Sequence, residues 1–205
     1  MGDSILVSLM QARESVGDRE ADLRAARPPV ALGDELRQLD QRLESVLRCG
    51  ARVADCQAAA LYLLDELTSA LKLRACWGLP IVRLLQPPRP LAEATADLEA
   101  MVGHAVALER ASSFGPWQVP EEFAAAVCVP VASPTVVLGT LWLLADRPRA
   151  FSDRDTNLAE LVAGWLAAEL DRAMLLAELR RRFPRPEGEW AASGFDESRR
   201  PCPER

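Results

Sequence analysis

From Asp34 onward the apolar positions recur with a helical period. Leu36, Leu39, Leu43, Val46, Gly50 and Val53 are spaced 3, 4, 3, 4 and 3 apart, the seam of a heptad pattern. Arg37, Gln38, Asp40, Gln41, Arg42, Glu44 and Arg48 make the solvated face, and Asp34 stands where a cap would accept from the first turn. The pattern predicts a helix from Asp34 to about Asp55. Two short apolar runs follow, Gln57 to Leu64 and Ala70 to Trp77, joined by the polar link Asp65 to Ser69, and this reads as an antiparallel hairpin. Pro87, Pro88 and Pro90 mark a loop. Leu91 to His104 reads as a helix with Leu91, Leu98, Met101 and Val102 on one side, and Ala105 to Glu109 as a short strand. After the loop Ser112 to Pro120 come the two clearest strands, Phe123 to Val131 and Thr135 to Ala145. Both are apolar at almost every residue, so both faces of their sheet are expected to be covered. Ser152 caps the last helix, with Asp153 and Asp155 on its first turn; Leu158, Leu161, Val162, Trp165, Leu166, Leu170, Ala173, Leu176 and Leu179 form its broad apolar face, and Pro184 stops it.

The ends differ from this middle. Residues 1–33 read as a flexible leader, with a weak helix around Ile5, Leu6, Leu9 and Met10 and a hinge at Pro28 to Gly33. Residues 184–205, rich in Pro, Gly, Ser and charge, read as a disordered tail. Between them, 34–183 forms one domain. The 205 residues are 49% apolar and 26% charged, which allows a packed core and excludes disorder throughout. A formal charge of −6 argues against nucleic acid as the partner, since such binding needs clustered cations; the one dense run, Arg180 to Arg182, closes a helix. No apolar run approaches the ~20 residues that span a bilayer, and Met1 to Met10 lacks a basic leader and a cleavage site, so a cytoplasmic protein with no membrane partner is expected. The five cysteines, Cys49, Cys56, Cys76, Cys128 and Cys202, include no C-x-x-C pair. With His104 as the one histidine, no metal site is expected.

The order of helix, hairpin, connecting helix, two adjacent apolar strands and a long closing helix carries a family likeness. Its stretches are Ala58-Ala-Ala-Leu-Tyr-Leu-Leu-Asp65, Leu71-Lys-Leu-Arg-Ala-Cys-Trp-Gly-Leu-Pro80, Gly103-His-Ala-Val-Ala107 and Ala126-Val-Cys-Val-Pro-Val131. Then comes Leu138-Gly-Thr-Leu-Trp-Leu-Leu144, leading into Phe151-Ser-Asp-Arg-Asp155. Over roughly residues 45–178 the chain resembles the GAF domain family of small-molecule-binding sensory modules. The resemblance implies an α+β fold: an antiparallel sheet of five or six strands, terminal helices on one face, and a connecting helix and loops over a ligand pocket on the other. It also implies dimerisation through the terminal helices and signalling along them to a partner protein.

On that reading the chain is a non-catalytic sensory module, a homodimer with an unidentified signalling partner and an unidentified small-molecule ligand; no cofactor can be named. The overhanging apolar positions expected at the dimer interface are Leu36, Leu39, Leu43, Val46, Val53, Leu166, Ala173 and Leu176. Trp77 and Trp117 stand beside Gly78 and Pro116, where the family opens its pocket, and are candidate aromatic walls, whereas Trp142 reads as core. His104 is either a ligand contact or a structural histidine. Arg83 and Arg74 either meet an anionic ligand or sit at the surface. Cys128, in an apolar strand, is either a small buried hydrophobe or a thiol. The second option matters because free-methionine-sulfoxide reductases share the fold and use cysteine. Against it, residues 81–127 hold no cysteine, leaving Cys76, on a different strand, to resolve a sulfenic acid on Cys128. A third reading is a ligand-free dimeric adaptor whose pocket is filled by its own side chains.

Overall fold

The computed structural model describes residues 30–65, 67–110, 117 and 119–183. The expected weak helix near Ile5 to Met10 and the tail 184–205 lie outside the described residues. The elements are α1 (Val30–Val53), β1 (Ala58–Asp65), β2 (Ala70–Trp77), a 3-10 turn at Ile81–Leu85, β3 (Arg89–Pro90), a second 3-10 turn at Leu91–Glu93, α2 (Thr95–Met101), β4 (Val106–Leu108), β5 (Ala125–Ala132), β6 (Val137–Ala145) and α3 (Asp153–Arg182). The strands form one six-stranded sheet in the order β3-β2-β1-β6-β5-β4, antiparallel throughout.

Period-2 alternation sends neighbouring side chains of each strand to opposite faces. On one face Ala59, Leu61, Leu63, Val127, Val129, Leu141 and Leu143 meet Leu43 and Leu47 of α1 and Val162, Leu166 and Leu170 of α3. On the other, Ala58, Ala60, Tyr62, Ala126, Cys128, Trp142 and Leu144 meet Ala96 and Ala100 of α2, with Val106 and Leu108 of β4 alongside. The sheet is therefore covered on both sides, as the unbroken apolar strands require.

Local signals set the helix ends, with two departures from expectation. α1 starts at Val30, inside the expected hinge, and Asp34 pairs with Arg37 one turn on instead of capping. Nothing in Val30-Ala31-Leu32 opposes a helix, and a proline just before the first turn is compatible with one. The helix expected over Leu91–His104 is split into a 3-10 turn and the seven-residue α2, because Ala94 adopts φ −100°, ψ 64°. The start of α3 is as expected: the Ser152 hydroxyl accepts from the Asp155 N–H at 3.3 Å, and the Asp155 carboxylate accepts from the Ser152 N–H at 2.8 Å. Arg149 then joins this end to the turn after α1, pairing with Asp155 at 3.1 Å and donating to the Asp55 carbonyl at 3.2 Å.

The buried positions of α1 are Leu39, Leu43, Leu47, Gly50 and Ala51, with Ala54 buried just past its end. That is the stripe of one helix lying on a sheet, not a 3.5-residue seam, which is why Leu47 is buried and Val53 is 64% exposed. Close approach of the two long helices falls at Gly50, where an added Cβ would stand 2.8 Å from Val162 Cγ1. Two stability changes follow. Gly50→Leu is expected to lower the unfolding free energy by about 1–3 kcal/mol through overpacking. Ser152→Ala is expected to lower it by about 1 kcal/mol through loss of the cap. Urea unfolding at constant m-value measures both.

Candidate functional site

The second face is organised by Asp97, a carboxylate with no exposed surface. It lies on the first turn of α2. Its Oδ1 accepts from Thr140 Oγ1 at 2.5 Å and from Trp142 Nε1 at 2.8 Å, while Oδ2 takes the Arg89 guanidinium. Thr140 and Trp142 are two apart on β6 and so share a face; Arg89 comes from the short edge strand β3. A charge fully out of water costs several kcal/mol unless it is paired and bonded, and three charge-assisted contacts supply that pairing here. Burial of Cys128 pushes its thiol well above the ordinary range, and the nearby Asp97 charge adds to this.

The polar chain runs on toward the surface. The Arg89 guanidinium stacks 4.8 Å over the Tyr62 ring. Tyr62 Oη donates to Glu121 Oε1 at 3.3 Å, and that oxygen also accepts from Arg83 Nε at 2.9 Å and Nη2 at 2.6 Å. Arg83 reaches the Pro120 carbonyl as well, at 3.1 Å. Burial raises the Tyr62 pKa, and the Glu121 charge raises it further. Tyr62 therefore stays a neutral donor.

Where the resemblance places a ligand, the space between sheet and α2 holds the chain's own side chains: Trp142 and Cys128 fully buried, Tyr62 and Leu73 nearly so, with Trp117, Val119 and Phe123 packed against them. An open cleft of about 530 Å³ lies beside this core, lined by Val119 to Ala124 and Asp146. A second hollow of about 190 Å³ lies between α1 and α3, lined in part by Leu36, Leu39, Ala173 and Leu176.

The candidate residues do not converge. Arg83, Trp117 and Cys128 belong to this face, though Arg83 is engaged by Glu121 and Cys128 is sealed in the core. Trp77 packs against the core on the opposite face, that of α1 and α3. The reason is a bulge in β2: Leu61 pairs with Ala75 and Tyr62 with Leu73, so Arg74 is skipped. One extra residue reverses the alternation, which puts Leu73 under α2 and Ala75 and Trp77 on the far side. Arg74 itself pairs with Asp40 of α1 at 2.6 Å. His104 is exposed beyond α2, its Nδ1 2.7 Å from Glu99 Oε1. Cys76 and Cys128 stand in one cross-strand row, Cys76-Ala60-Trp142-Cys128. Three strand spacings put them about 14 Å apart. A disulfide joins Cα atoms within about 7 Å.

The expected interface positions also divide. Leu39, Leu43 and Leu166 are buried in the chain's own core, which makes them unavailable to a second copy in this fold. Leu36, Val46 and Ala173 are half-buried, and Val53 and Leu176 are exposed. Leu161 and Trp165, read with the apolar face of the last helix, point outward at 53% exposure each. Sequence reasoning did not single out Asp97, Arg89, Tyr62, Glu121 or Thr140. Asp97 reads like any first-turn acid, and the one hint was a threonine inside the apolar run Leu138 to Leu144. Among the described residues no group of three His, Cys, Asp or Glu is placed to hold a metal, and no helix is long and apolar enough to cross a membrane.

An antiparallel six-stranded sheet between two long terminal helices and one short helix defines a GAF-type module. The chain belongs to the GAF domain family, which it matches over residues 38–172. Solved structures agree on the fold. The GAF domain of an Acinetobacter phosphoenolpyruvate-protein phosphotransferase superposes with a TM-score of 0.56 at 22% identity, over 72% of this chain and 96% of that one. That of Coxiella burnetii gives 0.61 at 18% identity, over 86% and 98%. The type II free methionine-R-sulfoxide reductase of Thermoplasma acidophilum gives 0.56 at 16% identity, over 67% and 95%. No curated protein sequence matches the chain.

Asp97→Ala would leave Arg89, Thr140 and Trp142 without their acceptor, and a loss of about 3–5 kcal/mol in unfolding free energy is expected. His104→Ala, at an exposed pair, is expected to stay within about 0.5 kcal/mol. Thiol labelling of the native protein should modify exposed Cys49 quickly and reach Cys128 only at the rate of global unfolding, as read by peptide mass spectrometry.

Proposed function

We propose that the chain is a non-catalytic regulatory GAF module of the cytoplasm that works as a homodimer and hands its state to a partner protein through its terminal helices. The observation that carries this is the outward face of α3. Its inner face is buried from Ala159 to Leu170, yet Leu161, Trp165, Leu175 and Leu179 remain more than half exposed on the outer one. Soluble monomers rarely keep such a run in water. The self-filled space under α2 supports an adaptor whose surface, not a bound molecule, is what the partner reads.

Small-molecule sensing is a second reading, favoured by the open cleft beside Glu121. Its size falls in the ~300–1,000 Å³ range of ligand sites. A molecule there would act by population shift, competing with Arg83 and Tyr62 for Glu121, and could move the balance only by its affinity difference between the two arrangements. Catalysis by Cys128 in the manner of the reductases has less support: its thiol is sealed and held protonated, and Cys76 lies across two intervening strands.

Native mass spectrometry of the protein purified from its own cells tests these readings together. An empty dimer is the expected result; a co-purifying small molecule would favour the sensor. In parallel, Cys128→Ser is expected to leave any sulfoxide reduction with a thiol donor at background, and a loss specific to that variant would establish the enzyme instead.

A further inference from the structure

The outward face of α3 carries more than apolarity. Leu161, Trp165, Ala168, Arg172, Leu175 and Leu179 follow one another at spacings of 4, 3, 4, 3 and 4, a continuous seam along the helix. Leu161 and Trp165 are each 53% exposed, Leu175 64% and Leu179 52%. Beside them lies Gly164, exposed in mid-helix, where an added Cβ would meet nothing among the described residues within 4 Å. Glycine weakens a helix interior relative to alanine, and nothing among the described residues requires it here. Space at Gly164 suits the close approach of a backbone or a long side chain from beyond the described residues.

A second copy fits, and the charges choose its direction. In a parallel, in-register pair Arg172 would face Arg172 within the seam, and Trp165 would face Trp165. We infer that two copies pair their α3 helices antiparallel, about a two-fold axis at Ala168. Leu161 then lies opposite Leu175 of the second copy, and Gly164 lies opposite Arg172, so the glycine leaves room for the long side chain. The same register sets the first turn, with Asp153 and Asp155, against residues 181–183 of the other copy. That last turn has a surplus of positive charge, since Arg181 and Arg182 share the single acceptor Glu178 and Arg180 is tied to Glu35. Opposed helix dipoles favour the same direction. Such charges contribute little affinity but decide orientation. The interface is isologous and closed, as two-fold symmetry demands. It rests on the homodimer reading above and gives that reading an orientation and a register.

The test uses the full chain with Cys49→Ser, Cys76→Ser and Cys202→Ser, which leaves only the buried Cys56 and Cys128, and two further variants, Leu161→Cys and Leu175→Cys, carrying different tags. Co-expressed and oxidised, they are expected to give a mixed disulfide, while Leu161→Cys alone gives none. Self-crosslinking of Leu161→Cys without the mixed product would mean parallel pairing: the inference would fall and the homodimer would stand. A monomer by sedimentation at every concentration would overturn both. Gly164→Ala supplies a second readout: it is expected to raise the monomer's melting temperature yet weaken dimerisation at least tenfold, and unchanged dimer affinity would rule out close approach at that position.

Discussion

Strands β1, β5 and β6 are buried along both faces, and a sheet of that kind must find two covers. The first is easily supplied, because α1 and α3 are long and lie side by side across it. The second falls to α2, only seven residues long and far below the length at which a helix holds itself together. Its seat depends on Asp97. The carboxylate bonds α2 to β6 through Thr140 and Trp142 and to the edge strand through Arg89. A short helix cannot cover six strands with its own surface, so Trp142, Tyr62 and Leu73 close the remaining space.

That solution has a consequence for function. With the space beneath α2 occupied, the surfaces open among the described residues include the cleft at Glu121 and the outward side of α3. The two differ in kind. The cleft is open and its best acceptor is already held by Arg83 and Tyr62, whereas the α3 seam is apolar except at Arg172 and unshared by the described core. Within a family whose common fold serves different roles, the activity of one member is argued from such surfaces and not from the sheet they sit on.

Much of the architecture was legible from local pattern. The hairpin with its Asp65 to Ser69 link, the paired apolar strands, the Ser152 cap and the family likeness all rest on residues close together in the chain. Their signals are periodicity, capping and turn chemistry, which neighbours determine among themselves. The α1 seam shows the limit: spacings of 3 and 4 fit both a heptad and a single amphipathic stripe, and only the sheet underneath selects Leu47 over Val53.

What lay beyond reach was of another kind. The bulge that skips Arg74 depends on how β2 registers with β1, and it alone sends Trp77 to the wrong face for a pocket wall. Asp97 meets Thr140 and Trp142 across more than forty residues, and Arg89 joins them from a separate strand. No spacing announces such a meeting, because each partner has an ordinary local role. Chain pattern settles which residues are apolar and where elements begin; which face a side chain occupies, and whether a buried charge finds its donors, is settled by contacts between segments that the pattern does not relate.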